Sequence, residues 1–321
     1  MNILMCDTQY AFLQYFLMMP FDTFRDTFFA FDCRFNPSVV HNLEKSGMAC
    51  HQNTYEGIPT DQLIFAQQKN KDYLEKIIAG FCDYFNGDIQ IYGQDHLNIA
   101  QILWRDSLKH IPFYLLEDGI GNYAKLQYVY RLPQFMYPDR HCMGHNSRVQ
   151  KIYLTGLWHI PNDLRSKVQI IDLRSLWDSK SPAEKQFFLD LYNMDQQTLA
   201  EISKKTVCYL GQSFSSFGLM PLERELSAYR KVLSNYNRDE VYIKAHPSGD
   251  NIDYKREFPG IMVIMNNIPY EVLYFLTGAN LKVVASIFST AAMCVDEAVE
   301  QHYYDVNGDR INLVYPYEGF S

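Results

Sequence analysis

The chain is written as apolar runs of strand length that stop at small polar or acidic residues, each followed by a stretch of helical period. "NILMC" (2–6) halts at Asp7, Thr8 and Gln9 before the apolar "YAFLQYFLMM"; "DTFFAFD" (26–32), "DIQIYGQD" (88–95) and "IPFYLLEDG" (111–119) read as further strands. Residues 60–85 and 96–107 have helical spacing between them. After a turn-rich segment at 120–150, read as a lid or a crossing between domains, the alternation resumes with "KIYLTGLW", "KVQIIDL", "KTVCYLGQ", "EVYIKAHP", "IMVIM" and "LKVVAS" as strands, interleaved with helices and closed by a helix from about Thr290 to Tyr303. Strands alternating with helices require a mostly parallel sheet covered on its faces. At 321 residues the chain exceeds what one core normally serves. The expectation is an α/β protein of two Rossmann-like lobes, residues 1–150 and 151–321, facing across a cleft.

The formal charge of -8 gives no support to nucleic acid as the main partner, because phosphate backbones need a net basic face. An anionic ligand must therefore meet a local basic pocket. Seven scattered cysteines without a C-x-x-C pair suggest reduced thiols of a cytoplasmic protein. The N-terminus lacks a basic leader and is broken early by polar residues, so it reads as a buried strand and helix rather than a signal peptide or span. Tyrosine (24) and phenylalanine (21) are abundant; most belong in cores, though such rings also stack on sugars.

Ligands of open α/β sheets bind at the carboxyl ends of strands. In "VYIKAHPSGD" (241–250), Lys244 and His246 share one strand face, and Pro247 restricts His246 to an extended backbone. Taken alone, a solvated strand exit would read the same. In "EDG" (117–119), Glu117 and Asp118 face opposite sides while Gly119 and Gly121 permit a tight turn, so one carboxylate can be held by the protein and the other offered as a general base. A solvated turn is the alternative. In "SIFST" (286–290), Ser289 is placed to cap a helix opened by Thr290, where free amides and hydroxyls suit a phosphate, or serve only as a cap. "HCMGH" (141–145) lacks a second ligand pair for zinc, "DVNGD" (305–309) reads as a hairpin turn rather than a calcium loop, and neither G-x-S-x-G nor a Walker or G-x-G-x-x-G loop occurs.

The ordered set "EDG", "KAHP" and "SIFST" resembles the bacterial sialyltransferases, which share a D/E-D/E-G motif, an H-P motif and a serine/threonine motif in this order. With the opening "NILMCDTQYAFLQ" and the motif spacing, the chain is most similar to glycosyltransferase family 52, the group that includes lipooligosaccharide and capsule sialyltransferases. It departs in having Ser289-Thr290 where paired serines are usual, and in showing no N-terminal membrane anchor. The resemblance implies a GT-B fold with an N-terminal acceptor lobe and a C-terminal CMP-sugar lobe. It further implies metal-independent, inverting transfer of sialic acid from CMP-sialic acid to a galactose-terminated glycan of lipooligosaccharide or capsule. Asp118 would be the base and His246 would bind or protonate the departing phosphate. Glu117, Gly119, Gln212, Lys244, Pro247, Ser286, Ser289 and Thr290 would meet the donor, and Asp7, Gln9 and Gln94 the acceptor. No metal ligand and no cofactor are expected, since a CMP leaving group has one phosphate and no diphosphate to bridge. The partners implied are the nucleotide sugar and the glycan, with peripheral membrane association at the inner face of a bacterial inner membrane, and a homodimer, compatible with the family. A family member using UDP-glucose, a hydrolase built on Ser289, His246 and Asp118, and an inactive sugar-binding protein are the competing readings.

Overall fold

The computed structural model describes residues 2–32, 34–52, 72, 76, 89–97, 111–123, 142–247, 251–265 and 267–312. Apart from residues 72, 76, 96 and 97, the helices expected at 60–85 and 96–107 lie outside these residues, as do the core of the turn-rich segment (124–141) and Ser248–Asp250. The chain divides into two compact units between Glu184 and Lys185.

Among the described residues the first unit holds a seven-stranded sheet in the order β3-β2-β1-β4-β5-β6-β7, every neighbouring pair parallel. Its strands are β1 (Asn2–Cys6), β2 (Thr27–Phe31), β3 (Ala49–Gln52), β4 (Gln90–Gly93), β5 (Phe113–Leu116), β6 (Val149–Leu154) and β7 (Val168–Ile170). β1 and β2 are buried along their whole length, which is why they read as unbroken apolar runs rather than alternating ones. The Thr8 hydroxyl caps the helix α1 (Gln9–Met18) by accepting from the Ala11 amide, so the β1–α1 turn begins at Asp7. Phe12 of α1 meets Phe24, Phe31 and Phe35 edge-on at centroid separations of 5.6–6.0 Å, a cluster that clamps the helix onto the sheet.

The boundary expected at residue 150 is corrected to 184/185. "KIYL" does not open a second sheet; as β6 it pairs in parallel with β5, Leu115 opposite Ile152, and hands the edge on to β7. The second unit carries β8 (Val207–Leu210), β9 (Val241–Lys244), β10 (Met262–Ile264), β11 (Val283–Ser286), β12 (Glu300–Tyr304) and β13 (Arg310–Ile311) in the order β10-β9-β8-β11-β12-β13, antiparallel only at the last pair. Tyr209 and Tyr229, both fully buried, pack edge-on at 4.8 Å in its core.

The helix expected from Thr290 to Tyr303 is not formed. A 3-10 turn, Thr290–Cys294, is followed by strand β12, which pairs with β11. The aromatic pair Tyr303 and Tyr304 favours a strand, and β12 turns back on itself through Asp305–Asp309, where the Asp305 carboxylate accepts from the Asn307 and Asp309 amides. "DVNGD" is thus the hairpin turn anticipated. Among the described residues, Cys6, Cys50, Cys142, Cys208 and Cys294 form no disulfide with one another. Among the described residues no helix is long and apolar enough to cross a membrane.

Gly93 closes β4 beside β1. Its φ of +143° lies where side chains strain the backbone, and a Cβ there would sit 1.8 Å from the Met5 carbonyl oxygen. Gly93→Ala should therefore lower stability by about 3 kcal/mol or more and displace Gln94, read as a fall in melting temperature; an unshifted melt would contradict this packing.

Candidate active site

In the first unit β1, β4 and β5 are neighbours, so their carboxyl ends bring Asp7, Gln94 to His96, and Glu117 to Gly119 to one edge of the sheet. Gln94 is the bridge. Its side-chain oxygen accepts from the Asp7 amide at 2.9 Å and its side-chain nitrogen donates to Asp118 Oδ1. His96 Nε2 lies 3.3 Å from Asp118 Oδ2, and the Asp118 amide donates to Asn122 Oδ1 at 2.6 Å. Gly119, with φ +84°, turns the chain immediately after the carboxylate. Arg34, from the loop after β2, is paired with Asp7 Oδ2. Asp7 Oδ1 is buried and has no partner among the described residues.

Burial sets the proton affinities here. It raises Asp118 to about 8, with Asp7 adding to the rise while Arg34 and the Gln94 bond oppose it. Burial lowers His96 to about 4, aided by Arg34, so the imidazole is neutral at ordinary pH. A carboxylate with raised proton affinity, bonded at one oxygen by Gln94 and with His96 near the other, is equipped to take a proton from a hydroxyl. Ligand atoms of Asp7, His96 and Asp118 fall within 4.8 Å of one another, close enough to gather on a cation. As the cluster stands, however, the Arg34 cation already neutralises Asp7, and the Asp118 oxygens face Gln94 and His96.

Glu117 points the other way. It is fully buried, its Oε2 accepts from the Thr155 amide at 2.6 Å and the Thr155 hydroxyl at 2.9 Å, and its own amide donates to Gln14 Oε1. The opposite-face expectation for the pair holds, but a donor contact through Glu117 does not fit; its carboxyl, raised by burial to about 7, anchors the strand end inside the unit. Gln9 is likewise buried, in the first turn of α1.

In the second unit β9, β8 and β11 are adjacent, with Lys244, Leu210 and Ser286 in one row across the sheet. The chain leaves that row at Ala245–Pro247, Gly211–Gln212 and Ile287–Thr290, so the H-P and serine/threonine motifs share one edge. The Ala245 amide donates to Ile264, and the His246 ring stands at 88° to the Phe217 ring, 6.1 Å between centroids. Burial, with Lys244 next, lowers His246 to about 4, so it offers a neutral N–H. Lys244 is buried and donates to the Ala245 carbonyl at 3.0 Å; burial lowers it to about 8. Lys244 therefore lies beneath the edge rather than on it.

Ser286 is fully buried and its hydroxyl accepts from the Ser289 amide at 3.2 Å. Ser289 precedes the 3-10 turn without a side-chain cap bond, so its hydroxyl is not spent on capping. Phe288 between them holds φ +60° and is 44% exposed, an unusual backbone for an aromatic residue at a motif. Gln212 is fixed through its backbone, which both donates to and accepts from the Tyr229 hydroxyl. The loop after it is tied down by Glu225, whose carboxylate accepts from the Phe214 and Ser215 amides at 3.1 and 2.9 Å. His96, Arg34, Asn122, Phe217 and Glu225 were not among the residues anticipated; His96 alone had a signal, lying two positions beyond Gln94 at the same strand end.

Two units built on mostly parallel sheets, each presenting motif residues at the carboxyl ends of adjacent strands, define the GT-B class of glycosyltransferase fold. The sequence profile of glycosyltransferase family 52 matches residues 61–307, and the chain belongs to that family. An uncharacterized protein of Haemophilus influenzae (strain ATCC 51907 / DSM 11121 / KW20 / Rd) is 29% identical over 209 residues, covering 63% of this chain and 64% of that protein's own length. In fold the chain is similar to the alpha/beta-galactoside alpha-2,3-sialyltransferase of Photobacterium phosphoreum, with a TM-score of 0.61 and 11% identity over 95% of this chain and 90% of that one. It is also similar to the GT-B domain of a sialyltransferase from Photobacterium damselae, with a TM-score of 0.54 and 13% identity over 93% and 89%.

Proposed function

We propose that this protein is a sialyltransferase that moves sialic acid from CMP-sialic acid to a galactose-terminated glycan of lipooligosaccharide or capsule, with inversion and without a metal, on the cytoplasmic side of a bacterial inner membrane. The observation that carries the reading is Asp118, a carboxylate of raised proton affinity oriented by Gln94 and His96 where three adjacent strands end. The acceptor hydroxyl gives its proton to Asp118 as its oxygen bonds to the anomeric carbon, and the carbon–phosphate oxygen bond breaks with its electron pair passing to CMP. His246, with Ser289 and Thr290, donates hydrogen bonds to the phosphate as charge collects there. The fold likeness to sialyltransferases and the order of the three motifs support the donor assignment.

The test is release of free CMP from CMP-sialic acid with and without lactose. Acceptor-stimulated release supports the reading; no release and no CMP binding, with stabilisation by UDP-glucose instead, assigns the family's other donor class. Excess chelator should leave the rate unchanged within about twofold. A loss restored by a divalent cation would place that ion on Asp7, His96 and Asp118 and overturn the metal-free scheme.

A further inference from the structure

We infer that His96 is a positioning residue for the Asp118 base: its neutral imidazole donates Nε2–H to Asp118 Oδ2, so that His96 and Gln94 between them fix which carboxylate lone pairs remain for the acceptor hydroxyl. This deepens the sialyltransferase reading and rests on it for its kinetic consequence. The geometry is local to the first unit. Gln94 bonds Oδ1, the Asn122 side chain holds the Asp118 amide, and His96 Nε2 lies 3.3 Å from Oδ2, within reach of a donor bond that would brace the second oxygen. Each ionised oxygen has two acceptor sites, and among the described residues one donor within reach of each leaves one open on each. His96 follows the end of β4 by three residues, and that strand's last residue, Gly93, is locked against Met5.

The charges facing the pair come from every neighbouring element. Asp7 ends β1, Asp32 and Arg34 follow β2, Asp95 adjoins His96, and Glu117 precedes Asp118 but turns inward to Thr155. Arg34 disfavours a proton on His96 while Asp32 favours one, and Arg34 stabilises the Asp118 carboxylate while Asp7 and Asp95 destabilise it. Arg34 thus opposes a charged imidazole and favours an ionised carboxylate, which is the state in which a neutral N–H donor is useful. Without the donor, ionised Asp118 loses a hydrogen bond in a water-poor place, and its proton affinity must rise further.

His96→Phe keeps the bulk and removes the donor; His96→Gln keeps a donor. In the acceptor-dependent reaction the Phe variant should lose about 30-fold in kcat with CMP affinity unchanged, and its acid limb should move to higher pH. The Gln variant should recover most of the rate and return the limb. A Phe variant with wild-type rate and pH profile, or a Gln variant as impaired and as shifted as Phe, overturns the assignment. A measurement without turnover separates this from failure of the sialyltransferase reading. In nitrogen-15 ring spectra, the resonance missing from His96→Gln should shift with pH near 8 in the wild type, as Asp118 ionises, and stay still over that range in Asp118→Asn. A ring signal indifferent to Asp118 overturns the pairing whether or not transfer is seen.

Discussion

Asp118→Asn should abolish acceptor-dependent CMP release, a loss of about 10³-fold or more, while CMP binds with wild-type affinity. The amide preserves the shape and the bond to Gln94 with an oxygen, yet offers no carboxylate to take the acceptor's proton. Loss of CMP binding would instead put Asp118 in the donor site. The same residue sets the pH dependence. Since burial raises Asp118 to about 8, kcat/KM should climb with pH and level above that value, because only the ionised form is a base. Stability should run the opposite way. A group whose folded value lies above its unfolded one, 3.8 for this carboxyl, contributes most below the unfolded value and loses that contribution as pH rises through the folded one. The wild type should therefore fall behind Asp118→Asn between about pH 4 and pH 8, and the gap in melting temperature should reach roughly 5 °C at pH 9. A variant equally stable at all pH values would mean that the carboxyl is not desolvated as described.

What the sequence yields about this site follows from what a strand end looks like. Asp7, Gln94 and Asp118 were legible because an apolar run cannot tolerate them inside it, so each marks a terminus, and in a parallel sheet neighbouring termini share one edge. Alternation told that Glu117 and Asp118 diverge but not which of them is drawn inward, since that depends on Thr155, remote in sequence. Arg34 was invisible for the same reason: its pairing with Asp7 is made between loops after β1 and β2. Lys244 was expected at the strand exit and is buried instead, because strand periodicity says nothing of depth. The boundary near residue 150 and the helix at 290–303 were misread where local pattern competed with pairing. "KIYL", read as a strand of the second lobe, joins the first sheet because β5 offers it an open parallel edge, and "EQHYY" becomes a strand because β11 does. The family and the GT-B fold were legible because three short motifs in fixed order constrain more than any one of them.

His246→Ala should weaken CMP binding about tenfold and lower the transfer rate about 100-fold, the cost of removing a donor to a phosphate on which negative charge collects in the transition state. In the unliganded protein burial and the neighbouring Lys244 hold His246 near 4, so the ring meets the nucleotide as a neutral N–H donor and not as an imidazolium. A phosphate placed against it reverses the balance, because a close negative charge favours the protonated ring. CMP binding should then draw a proton from solution at pH 6, seen as a dependence of the calorimetric enthalpy on buffer ionisation heat, and that dependence should shrink in His246→Ala. Lys244, lowered by burial only to about 8, is already protonated at pH 6 and has no proton left to gain there, so the uptake at that pH belongs to the histidine. If His246→Ala binds CMP as tightly as the wild type, the histidine does not touch the phosphate and the leaving group is stabilised from Ser289 and Thr290 alone.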